Sequence, residues 1–299
     1  MIPSFVIFLR EGFEASLIIS ILLSYLNRTG QRRHFRDVFV GVGAALLLIS
    51  AVGVVIYLTV SSFVGSRGQL IFETATFVLA ATSLTYMTFW MRNHSRGLSR
   101  NLETKSSEAL SNGSRFAIVS LSFLSIAREG LETMIFMLAI IFASRSQSPV
   151  AGHSPWILVG AILGLVVALA IAYAMFKLGT RINLKRFFLI LAIALLIFAA
   201  GLLADAVENL QKLGWITAGN QALWHSGSAL AENSSFGDVL HMLFGYAQSP
   251  TVLQAIVWVG FLATTVTLFI RKPRAKATAP KADTPAPTAT APEAVSAKA

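Results

Sequence analysis

The sequence predicts an all-α polytopic membrane protein with seven transmembrane helices. Three observations predict it: composition, the length of the apolar runs, and the alternation of charge between the loops. Hydrophobic residues make up 55% of the chain and charged residues 13%, with a mean hydropathy of +0.68, far from ordinary soluble domains. Seven apolar runs of about 20 residues, enough for a hydrocarbon core of roughly 30 Å, cover 3–26, 38–62, 69–91, 117–143, 156–177, 187–210 and 252–270. Basic residues crowd alternate connections, which by the positive-inside rule puts the N-terminus outside and the C-terminus in the cytoplasm.

The first run has no basic segment before it and carries Arg10, Glu11 and Glu14, which suits a retained helix rather than a cleaved signal. A basic connection with Arg28, Arg32, Arg33 and Arg36 leads to run two, and Arg67 alone separates runs two and three. Arg92, Arg96, Arg100, Lys105 and Arg115 follow run three, whereas only Arg145 lies between runs four and five. Lys177, Arg181, Lys185 and Arg186 lie at the connection between runs five and six. A long external loop, 211–251, then holds Lys212, Trp215, Trp224, His225, Glu232, Asp238 and His241. A short interfacial helix is expected there before Pro250, with both histidines solvated. The seventh run ends at Arg271-Lys272, so the membrane domain is 1–272. Residues 273–299, rich in Pro, Ala, Thr and Lys, are expected to be a disordered cytoplasmic tail.

Several classes are excluded. With no cysteine, the chain can form neither disulfides nor thiolate metal sites. The net charge of +10 follows the topology pattern rather than one phosphate-binding face, so the expected partner is the lipid bilayer and not nucleic acid. No membrane histidine and no paired Ser–Lys arrangement offers a nucleophile, so an enzyme is not expected.

The chemistry is concentrated in one motif that occurs twice. Arg10-Glu11-Gly12-Phe13-Glu14 lies in run one and Arg128-Glu129-Gly130-Leu131-Glu132 in run four. Each ionisable group at a membrane-helix centre costs roughly 2.5–3.5 kcal/mol on insertion scales, so six of them call for a polar function. At 100° per residue the second acid lies about 40° from the Arg and the first about 100°, which places all three on one arc. Gly12 and Gly130 fall on another side, where a neighbouring helix can approach. Structural ion pairs would need one acid per Arg, and each motif has two. The excess negative charge suits a cation, with each Arg steadying a carboxylate at i+4 when the ion is absent.

The two motifs divide the first six runs into triplets, 1–92 and 115–210. Their first helices cross in opposite directions, which predicts two inverted repeats plus a peripheral seventh span. Sites in that architecture lie near the midplane at the repeat interface. Carboxylates are hard ligands, suited to Mg, Ca, Mn and iron. Met87, Met91, Met134, Met137 and Met175 form no compact facing pattern in the sequence and are read as core filling. Glu73, Asp205 and Glu208 fall near the outer ends of runs three and six, where they would form an acidic entry vestibule.

At these residues the chain resembles the oxidase-dependent iron permease family, most closely its bacterial, EfeU-type members. The resemblance covers the membrane region and includes Ser24-Tyr25-Leu26, Phe72-Glu73, Phe89-Trp90-Met91-Arg92, Ala199-Ala200-Gly201-Leu202 and Phe244-Gly245-Tyr246. It implies iron import across the bacterial cytoplasmic (inner) membrane, with Glu11, Glu14, Glu129 and Glu132 as metal ligands and Arg10 and Arg128 as companions. It implies iron as transported substrate, no permanent cofactor, and periplasmic oxidising or iron-delivery partners, a cupredoxin-like protein and a haem peroxidase. Phe13 departs from the usual Leu but points away from the charged arc. The residues alone leave open a transporter of another hard divalent cation such as manganese, or a membrane iron sensor or assembly subunit that transports nothing.

Overall fold

The computed structural model describes residues 1–61, 65–94, 115–147, 155–178, 184–223 and 249–270. The expected tail, and the part of the external loop that holds His225 and His241, lie outside them. Among the described residues there are seven α-helices and no strand beyond an isolated bridge between Ala222 and Thr251. They are α1 (Ile2–Arg28), α2 (Phe35–Ser61), α3 (Arg67–His94), α4 (Arg115–Gln147), α5 (Pro155–Leu178), α6 (Leu184–Lys212) and α7 (Val252–Ile270). Each apolar run of the sequence lies within one helix, give or take a residue or so. The expected connection after α1 contains a single 3₁₀ turn, Arg32–His34.

Local chemistry explains the ends. Pro3 stands in the first turn of α1 and Pro155 opens α5, positions where a missing N–H costs nothing. Gly30, at φ +72°, takes the left-handed conformation that turns the chain out of α1. Along the helices Ser and Thr hydroxyls fold back on carbonyls four residues earlier, as Thr74 does on Leu70 at 2.6 Å and Thr85 on Ala81 at 2.6 Å. These bonds satisfy hydroxyls where no water is at hand.

Among the described residues, four helical stretches are long and apolar enough to cross a membrane: Arg32–Thr59, Arg67–Met91, Pro155–Met175 and Arg186–Lys212. In α1 and α4 the motif charges interrupt the apolar length, and in α7 the apolar segment, Val252–Leu268, is shorter. The outer surface is itself apolar. Leu47 on α2 is 75% exposed, and Leu158, Ile162 and Val166 of α5 face outward too, as lipid-facing side chains do.

The helices interlock across the two halves of the chain. α1 packs along α5, α2 along α4 and α3 along α6, while α1 meets α4 in the middle and α7 lies against α6. The main core joins Phe77 and Leu84 of α3, Phe136 and Phe142 of α4, and Leu195 and Leu202 of α6. Two glycines let backbones touch. A Cβ on Gly41 of α2 would collide with the Ser122 hydroxyl and Val119 carbonyl of α4, and one on Gly160 of α5 with the Ser4 hydroxyl and Met1 carbonyl of α1.

Candidate metal centre

Where α1 and α4 meet, the two motifs face each other. One carboxylate oxygen each from Glu11, Glu14 and Glu129 lie within 4.8 Å of one another, and all three side chains are buried. Arg10, 3% exposed, donates from Nη1 to Glu11 Oε1 at 2.9 Å, and its Nε lies 3.2 Å from Glu14 Oε1 as an ion pair. Glu11 Oε2, Glu14 Oε1 and Glu129 Oε2 have no hydrogen-bond partner. Three carboxylates against one guanidinium leave negative charge uncompensated in a place with little access to water. Burying oxygens without a hydrogen bond is costly, and a cation between them would supply what they lack.

The fourth motif acid, Glu132, lies just outside that cluster. It pairs at 3.4 Å with Nε of Arg128, whose side chain is 50% exposed. Arg128 also lies over the Trp90 ring, 5.5 Å from its centroid. Beside the cluster, a cavity of about 550 Å³ opens between α1, α2, α4 and α5, with Glu11, Glu129 and Thr133 among its otherwise mainly apolar lining.

Helix α3 supplies what sequence reasoning missed. Met91 Sδ lies 4.0 Å from Nη2 of Arg10, and Met87 Sδ lies 3.6 Å from Nη2 of Arg128. Met134 and Met137 do pack on the core, as does Met175 on a smaller cluster. Met87 and Met91 instead face the motifs. Their signal in the sequence was the i, i+3, i+4 spacing of Met87, Trp90 and Met91, which puts the three on one helix face.

The three outer acids join none of this. Glu73 is buried near the start of α3 and accepts a hydrogen bond from Gln69 Nε2 at 2.7 Å. Asp205 is buried on α6. Glu208 is held by Lys212 at 2.7 Å and by Gln254 of α7 at 3.1 Å, tying α6 to α7.

A model of the Iron permease FTR1 family matches residues 1–281. The chain belongs to that family. It is 35% identical over 281 residues to "Ferrous iron permease EfeU" of Escherichia coli O6:K15:H31 (strain 536 / UPEC), covering 93% of this chain and 99% of the relative. The protein of the same name from Yersinia pestis is 36% identical over 279 residues, 93% of this chain and 96% of its own length. No solved structure matches the chain. As a member of a permease family with several apolar helices, the chain is a multi-pass membrane transporter rather than an enzyme.

Proposed function

We propose that this permease carries iron, as the ferrous ion its relatives are named for, inward across the bacterial cytoplasmic membrane through the carboxylate cluster between α1 and α4. The observation that carries the reading is the meeting of Glu11, Glu14 and Glu129, each with an oxygen that lacks a hydrogen-bond partner. Glu132 completes the ligand set as the ion moves between neighbouring weak sites, which lets it enter and still leave. Arg10 and Arg128 hold the carboxylates while no ion is bound. Glu73, Asp205 and Glu208 form the outer approach, fed by periplasmic iron-delivery proteins.

All seven helices cross the bilayer in this reading, with the N-terminus outside and α7 peripheral to two inverted repeats, 1–92 and 115–210. The packing supports the repeats. Exchanging the first three helices for the next three turns the α1–α5 contact into the α4–α2 contact and leaves α1–α4 and α3–α6 unchanged. The correspondence extends to residues. Ser4 and Ser122 each stand six residues before their motif Arg, and each meets a glycine, Gly160 or Gly41, on the partner helix.

The test is uptake of radiolabelled iron by cells lacking other importers, comparing wild type with Glu11→Gln, Glu14→Gln and Glu129→Gln at matched membrane levels. Losing a supporting partner of a metal ligand costs roughly 10–100-fold in affinity or activity, and losing a ligand should cost at least as much uptake. Wild-type rates in all three variants would reduce the cluster to structural ion pairing.

A further inference from the structure

Taking the carboxylate cluster as the cation site, we propose that Met87 and Met91 are soft ligands to the ferrous ion there and set its preference for iron over harder divalent cations such as manganese. Nothing about an arginine asks for a thioether. Sulfur is a weak acceptor, and Gln or Glu on α3 would hold either guanidinium better. Yet α3 turns one sulfur to each motif, Met91 to Arg10 and Met87 to Arg128. Met87 is only 2% exposed, so its sulfur is committed to the interior.

Each guanidinium therefore touches a motif carboxylate on one hand and a sulfur on the other. Arg10 touches Glu11, Glu14 and Met91; Arg128 touches Glu132 and Met87. A dication entering the cluster repels both arginines. Where a guanidinium withdraws, carboxylate oxygen and thioether sulfur come to face the same opening. Arg128 is half exposed, with one longer ion pair to Glu132 and the Trp90 ring beneath it, against the two pairs of the buried Arg10. It therefore withdraws with less resistance, and Met87 is uncovered first. Oxygen alone discriminates poorly between Fe²⁺ and Mn²⁺, whereas a thioether favours the softer ion and disfavours Mn²⁺, Mg²⁺ and Fe³⁺.

The experiment uses the full chain, purified in detergent, labelled with selenomethionine and loaded anaerobically with Fe²⁺. Selenium-edge X-ray absorption should show Se–Fe scattering at bonding distance from at most two of the seven methionines. Met87→Leu/Met91→Leu, nearly volume-conserving and so expected to keep the fold, should lose that scattering while retaining bound iron. By competition with a fluorescent chelator, its Fe²⁺/Mn²⁺ affinity ratio should fall about tenfold, the low end of what losing a group at a metal site costs in affinity. Iron that binds, and is lost in Glu11→Gln, but shows no Se–Fe scattering in the wild type overturns the proposal and leaves the carboxylate site standing. So does an unchanged affinity ratio in the double variant. Iron binding indifferent to Glu11→Gln overturns both.

Discussion

The motif on α1 and its copy on α4 differ at one residue of five, Phe13 against Leu131, yet their side chains meet different surroundings. Arg10 is buried, with Glu11 and Glu14 both within reach, while Arg128 is half exposed and, among the described residues, ion-paired with Glu132 alone. Phe13 is sealed against Phe187 and Phe188 at the start of α6, at ring distances of 5.2 and 5.7 Å, whereas Leu131 is 45% exposed. The first motif is therefore anchored and the second has room to move. What differs is the cover laid over each helix, not the helix or the motif. Two copies of one sequence thus give the proposed site a covered wall and an open one.

The arginines should show the largest contrast. Arg10→Gln leaves buried carboxylates without their cation and is expected to destabilise the protein by about 3–5 kcal/mol, as breaking a buried pair does. Arg128→Gln removes a single half-exposed pair and should cost clearly less. Thermal unfolding in detergent measures both, and equal losses would erase the distinction between the walls. The apolar residue of each motif comes next. Phe13→Ala should cost about 3 kcal/mol through the cavity it leaves, and Leu131→Ala, facing outward, no more than about 0.5 kcal/mol. A large loss at Leu131 would mean that something covers the α4 motif in the purified protein.

The glycines sharpen the comparison least. A Cβ on Gly12 meets Ala168 Cβ at 3.2 Å and Leu165 Cδ1 at 2.9 Å, and the alanine has no rotamer with which to give way. On Gly130 the obstacle is the tip of Ile49, which borders the cavity and can swing into it. Gly12→Ala should therefore cost about 1 kcal/mol, at the low end of overpacking effects, and Gly130→Ala close to nothing.

Much of this was legible in the residues. Apolar run length placed the seven described helices, because a long apolar run satisfies its backbone best by bonding within its own segment. Helical spacing put Arg10, Glu11 and Glu14 on one arc and sent Phe13 elsewhere. The roles of α3 were not legible. Met87 and Met91 look like any core methionines until the helix they face is known. Nor did the run that holds Glu208 announce that Gln254 of α7 would reach it.

The sequence by itself determined the helices, the family and the face of each helix that bears charge, since these follow from composition, motif and the fixed pitch of the α-helix. Only the tertiary structure decided that Glu11, Glu14 and Glu129 share a cluster while Glu132 stands outside it. It also decided that Arg10 is buried where Arg128 is not. These outcomes depend on how α1 and α4 cross and on which helices cover them. Such distances, between residues far apart in the chain, are set by side-chain packing that no local pattern encodes.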